Sequence, residues 1–138
     1  MNENFKFFFR YQMPAIIWAG CIYVASSIPS GSIQWWILHR LDKAVHLTIF
    51  FIFGLLVYRA LHRGNGPSQF SYKRVFLMLV IVLGYGLFDE LHQANTPGRS
   101  VDLRDLLADM AGGILAGGTA IVTNVINNRR ARARGNLH

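Results

Sequence analysis

From Tyr11 to His39 the chain carries no Asp, Glu, Lys or Arg, and this uncharged run constrains the fold more than any other feature. A helix of about 20 residues crosses a hydrocarbon core of about 30 Å, so a run of this length holds a membrane span and its flanking loop. Three further apolar stretches follow: Ala44 to Leu61, Val75 to Phe88, and Met110 to Ile126. The whole chain is only 138 residues, 52% apolar and 15% charged. A soluble domain this small would have too few polar side chains to cover its surface. One cysteine excludes a disulfide scaffold. The reading is an all-α polytopic membrane protein, an antiparallel bundle of four transmembrane helices. It occupies residues 1–128 as one domain, with spans at about 13–28, 44–61, 75–91 and 106–126, and residues 129–138 form a basic, disordered cytoplasmic tail.

The net charge of +7 points superficially to nucleic acid, but the distribution of charge points elsewhere. Lys6, Arg10, Arg59, Arg63, Lys73, Arg74, Arg129, Arg130, Arg132 and Arg134 fall on one side of the spans, with Glu3 their only acid. The other side has Arg40, Lys43, Arg99 and Arg104 against Asp42, Asp89, Glu90, Asp102, Asp105 and Asp109. The two sides net +9 and −2, which accounts for the +7. Basic residues in short loops stay in the cytoplasm, so both termini are expected there, in the bacterial inner membrane, with no nucleic-acid partner. Trp35 and Trp36 in the first outer loop suit an interfacial belt, and Gly64 to Ser68 make a turn-rich inner loop. Thr96-Pro97-Gly98 reads as a tight outer turn. Ala19-Gly20-Cys21 superficially matches a lipoprotein processing site, but Trp18 stands where that signal requires an aliphatic residue, and an uncleaved first span is the better reading.

The acids carry the functional question. Val75 to Phe88 reaches only about 21 Å at about 1.5 Å per residue, so the third helix has to continue through Asp89, Glu90 and Gln93. Acids at a helix C-terminus oppose the dipole, and neighbouring carboxylates repel. Asp109 lies about two turns into the fourth helix, beyond capping range, ahead of an apolar span. Charge at membrane depth is costly and usually marks a site or pathway unless it is paired. Asp42, Asp102 and Asp105 have blander readings as helix N-caps and cap partners. Spacing places Asp42 with His46 on one face, Asp89 with Gln93 on another, and Asp102, Asp105 and Asp109 along one stripe. Facing one another, these stripes would form an outward-opening polar pocket. A structural ion-pair network with Lys43, Arg99 and Arg104 is the competing reading. Gly112, Gly113, Gly117 and Gly118, with Gly84 and Gly86, suit close helix packing within the chain or in a homodimer. Phe5–Phe9 and Phe50–Phe53 read as interface and lipid contacts, and His39, His62 and His138 as surface groups.

The order of these groups resembles the VanZ-like family of small bacterial membrane proteins. The likeness rests on Asp42-Lys43-x-x-His46, Asp89-Glu90-x-x-Gln93, Pro97-Gly98-Arg99-Ser100, and Asp102-x-x-Asp105 before a Gly-rich fourth span. It covers about residues 13–126, and the position of Asp109 is often Asn in the family pattern, so its charge is local to this chain. The resemblance implies a multi-pass cytoplasmic-membrane protein, associated through the family's namesake with resistance to the glycopeptide antibiotic teicoplanin. It implies no settled reaction. Three functions are therefore weighed. The first is an accessory or binding protein for a lipid-linked envelope precursor or a glycopeptide, with Lys43 and Arg99 taking anionic groups and Asp89, Glu90 and Gln93 orienting polar ones. The second is a membrane-embedded enzyme on a lipid-linked substrate. It would use a divalent metal on Asp102, Asp105 and Asp109, or acid–base chemistry at Asp89, Glu90 or His46. The third is a proton-coupled carrier.

Overall fold

A computed structural model describes residues 2–29, 42–61 and 70–135. Among them every regular element is helical: α1 (Glu3–Phe7), a π-helical turn (Phe8–Gln12), α2 (Met13–Ser26), α3 (Asp42–Ala60), α4 (Tyr72–Gln93) and α5 (Leu103–Gly135). The first three run on without a break. Pro14 has no N–H to give the carbonyl four residues back, and the wider π turn lies immediately before it. Pro29 follows the end of α2, where the residue before a proline is disfavoured in helix. The expected Trp35–Trp36 belt, the Gly64–Ser68 turn, and His39, His62 and His138 lie outside the described residues, as does the side chain of Asp42.

Three helices are long and apolar enough to cross a membrane: Lys43–Ala60, Tyr72–Gln93 and Leu103–Arg134. The α2 segment, with 14 residues, is shorter. Large apolar side chains point away from the bundle on α2, α4 and α5, among them Ile16, Val24, Phe76, Leu91, Ile114 and Val122, each more than half exposed. A stripe pattern of that kind suits a lipid surround and would be costly in water. α4 extends through Asp89, Glu90 and Gln93, as its short apolar stretch requires.

The glycines set the packing. A Cβ on Gly112 would run into the Leu47 carbonyl oxygen and stand 2.7 Å from the Phe51 nitrogen, so α3 and α5 touch backbone to backbone. Farther along, Gly54 meets Ala116, and the two helices run parallel. Gly86 faces Asp109, Gly113 faces Val82, and Gly117 faces Val75, so α4 runs antiparallel to α5. Among the described residues Gly84 and Gly118 have open space around them, so the close packing expected of them is not seen there. α2 is tied on by polar tips: the Trp18 indole donates to the Ile49 carbonyl at 3.0 Å and the Tyr85 hydroxyl to the Ala19 carbonyl at 2.6 Å.

Two expectations are corrected. Phe50 and Phe53 are 1% and 4% exposed, so they belong to the core and not to the lipid face. They sit three apart on the side of α3 that meets Tyr85, with ring centroids 6.3 Å and 5.0 Å away. The basic tail also differs: α5 continues past Asn128 to Gly135. Ala and Arg are strong helix formers, no Pro or Gly interrupts them before Gly135, and arginines at the C-terminal end complement the dipole.

Candidate functional site

The helix directions bring the end of α2, the start of α3, the end of α4 and the start of α5 to one end of the bundle. The opposite end is basic and aromatic, with the Arg59 guanidinium 5.2 Å from the Tyr11 ring centroid and Arg74 5.5 Å from that of Tyr58. Among the described residues the groove there is lined by Asn4, Phe7, Phe8, Gln12, Ala60 and Leu61, none of them an acid or a histidine.

The conflict at the end of α4 is resolved by geometry. Asp89 and Glu90 are consecutive, and consecutive helical residues point in different directions. Asp89 turns toward α2, where it accepts from the Ser26 hydroxyl at 2.5 Å and from Gln93 Nε2 at 2.8 Å, so both its oxygens are met. Glu90 turns toward α5, and its Oε2 accepts the backbone N–H of Asp102 at 2.9 Å. A carboxylate that faces the negative end of its own helix thus rests at the positive end of another.

Asp102 caps α5 by accepting the Arg104 N–H at 2.8 Å. Its second oxygen accepts from Lys43 Nζ at 2.9 Å, and Lys43 also pairs with Asp105. The Lys43 ammonium holds the Asp102 carboxyl below the usual carboxylate range. The return bond of a capping box, which the Asp102–Asp105 spacing suggests, is supplied by Glu90 instead. The turn before the helix is closed by the Arg99 N–H donating to the Thr96 carbonyl at 3.1 Å, with Gly98 at φ 78° in the left-handed region that glycine tolerates. Arg99 is half-buried in that turn.

Beneath this layer His46 Nδ1 lies 2.8 Å from Asp109 Oδ1. The two share one hydrogen bond, with the proton on Nδ1 when the carboxylate is ionised. His46, Glu90 and Asp109 offer ligand-type atoms within 4.8 Å of one another, and Glu90 and Asp109 are 3% and 0% exposed. Glu90 Oε1 and Asp109 Oδ2 are buried without a hydrogen-bond partner.

The stripe of three aspartates therefore divides: Asp102 and Asp105 answer Lys43, whereas Asp109 joins His46 and Glu90. Lys43, which was weighed as an anion-binding group, is engaged by these two carboxylates. Asp89, Glu90, Gln93, Asp105 and Asp109 are all buried. Two contributors escaped the sequence reading. Ser26 looks like a hydroxyl bonding back along its own helix, which it also does, at 2.9 Å to the Ile22 carbonyl. Gly86 leaves room for Asp109, whose Oδ2 would be 3.1 Å from a Cβ there.

Fold and cluster together define a small helical membrane protein that gathers its acids, Glu3 apart, at one end. The family comparison agrees: the model described as VanZ/LLP1 matches residues 4–124, and the chain belongs to this VanZ-like family. No curated protein and no solved structure matches the chain.

Proposed function

We propose that this VanZ-like protein is an accessory or binding protein of the bacterial inner membrane. It would engage a polar cell-envelope component, either a lipid-linked precursor or a teicoplanin-type glycopeptide, at the acidic end of a four-span bundle. One observation carries the reading: Glu90 Oε1 and Asp109 Oδ2 are buried side-chain acceptors with no partner, in one small space beside His46. Buried acceptors left unmade are expensive, and a fold that keeps two together is poised for a donor from outside the chain. An amide, hydroxyl or ammonium group of an envelope ligand supplies such donors.

A membrane-embedded enzyme is the second reading, favoured by the His46–Asp109 pair at 2.8 Å. An imidazole held by a carboxylate is a competent general base, and the lipid-linked substrate would have to reach it at the helix ends.

The test expresses Glu90→Gln and Asp109→Asn in a teicoplanin-sensitive host, with Thr119→Ala as the control. Both site variants should reach normal membrane levels and lose protection, and the purified proteins should bind teicoplanin or lipid-linked precursor about tenfold more weakly or worse. Full protection and unchanged binding in both would sink the site. His46→Gln that binds normally yet fails to protect would favour the enzyme.

A further inference from the structure

We infer that His46, Glu90 and Asp109 form a binding site for one divalent transition-metal ion of the zinc or manganese class. The three residues come from α3, α4 and α5, so the site exists only in the folded bundle. Their ligand-type atoms lie within 4.8 Å of one another. Ligands bound at about 2.1 Å around a tetrahedral ion are about 3.4 Å apart, so the set is wider than such a shell by at most about 1.4 Å.

The carboxylates are prepared for a cation. Glu90 Oε2 is anchored by the Asp102 N–H at 2.9 Å, and Asp109 Oδ1 already faces His46 Nδ1 at 2.8 Å, two donor atoms that an ion would part. The other oxygen of each is buried and without a partner. Anchored carboxylates with an open oxygen are how metal ligands are held by their surroundings. Asp109 Oδ2 has its space because α4 carries Gly86 there, since a Cβ would stand 3.1 Å away. Two buried carboxylates against one imidazole leave negative charge in a low-dielectric site, and a divalent ion neutralises it.

The donor set decides the metal. One nitrogen and two carboxylate oxygens suit zinc, manganese or ferrous iron, whereas calcium and magnesium prefer oxygen alone. Asp102 and Asp105 are excluded as ligands in this arrangement, because Lys43 holds both. Three protein ligands leave a coordination position open, where a phosphate, carboxylate or hydroxyl could bind. This site goes beyond the envelope-binding reading and does not depend on it.

The test uses the full chain in detergent, purified with a histidine-free tag, stripped of metal and titrated calorimetrically with Zn2+, Mn2+ and Mg2+. The expected result is one Zn2+ or Mn2+ per chain, with Mg2+ much weaker. His46→Gln, Glu90→Gln and Asp109→Asn should each weaken binding about tenfold or more, and His92→Gln should not. X-ray absorption on the zinc-loaded natural chain should show a nitrogen/oxygen shell containing one imidazole, a readout independent of any variant's folding. Absence of stoichiometric binding, equal binding in all three variants, or a shell without imidazole would overturn the site. Metal binding without loss of teicoplanin protection in the variants would leave the site standing and remove the envelope-binding reading. Protection lost without any metal binding would do the reverse.

Discussion

Asp102 and Asp109 lie seven residues apart on one helix, yet they do different work because of what faces them. Asp109 keeps an oxygen with no partner in a buried space, whereas Asp102 accepts a helix N–H and a lysine ammonium. The sequence identified Asp102 as a cap from its place before Leu103, and the cap is formed. Its pairing with Lys43, 59 residues away, is a tertiary fact that spacing cannot express. The carboxyl of Asp102 is held below its ordinary range, so its contribution is present above the unfolded-state pKa of about 3.9 and lost as pH falls through the folded value. Asn also caps helices but carries no charge toward Lys43. Asp102→Asn should therefore lower stability near neutrality by about 0.2–1 kcal/mol, the usual range for a largely solvent-exposed ion pair. Thermal melts in detergent at pH 7 should resolve the difference, and it should shrink as pH falls below about 4. A gap that does not shrink on acidification would mean that the cap geometry, and not the charge, had been lost.

At the scale of helices, the third apolar stretch was too short to span alone, and this required α4 to carry Asp89, Glu90 and Gln93, which it does. What could not be read was where these side chains turn, since that depends on α2 and α5 arriving at the same end. Phe50 and Phe53 were misassigned for a related reason. In an apolar helix bound for lipid, hydrophobicity does not separate the core face from the lipid face. Small residues separate them better, but only some of the glycines mark a contact. Gly112 lies against the backbone of α3, while Gly118 faces open space. Gly112→Ala must push two backbones apart and should destabilise the bundle by about 1–3 kcal/mol or more. Gly118→Ala meets nothing and should be neutral or gain up to about 1 kcal/mol from helix propensity. Urea or detergent-unfolding midpoints for the pair would test this, and equal midpoints would refute the packing of α3 on α5.

For the molecule as a whole, the fold converts a charge pattern along the chain into two ends. The cluster end sets Asp89, Glu90, Asp102, Asp105 and Asp109 against Lys43, Arg99 and Arg104; Arg59 and Arg74 mark the other, and Arg129 to Arg134 extend α5 beyond it. α5 has 33 residues, about 50 Å at about 1.5 Å each, against a hydrocarbon core of about 30 Å. A helix of that length has room for its arginine turns to stand clear of the lipid tails, at headgroup depth. Because α3 and α5 run in parallel and α4 opposes them, a single orientation for any one helix settles all three. The positive-inside bias predicts that the C-terminus lies in the cytoplasm and the turn around Gly98 outside. Cysteine labelling checks this in cells after Cys21, which is exposed, is replaced by Ser. Ser100→Cys and Ala131→Cys both lie at exposed positions, at opposite ends of the bundle. A membrane-impermeant maleimide should label Ser100→Cys in intact spheroplasts, and Ala131→Cys only after the membrane is opened. The reverse pattern would turn the cluster of His46, Glu90 and Asp109 to the cytoplasm, and with it the side from which any envelope ligand would have to approach.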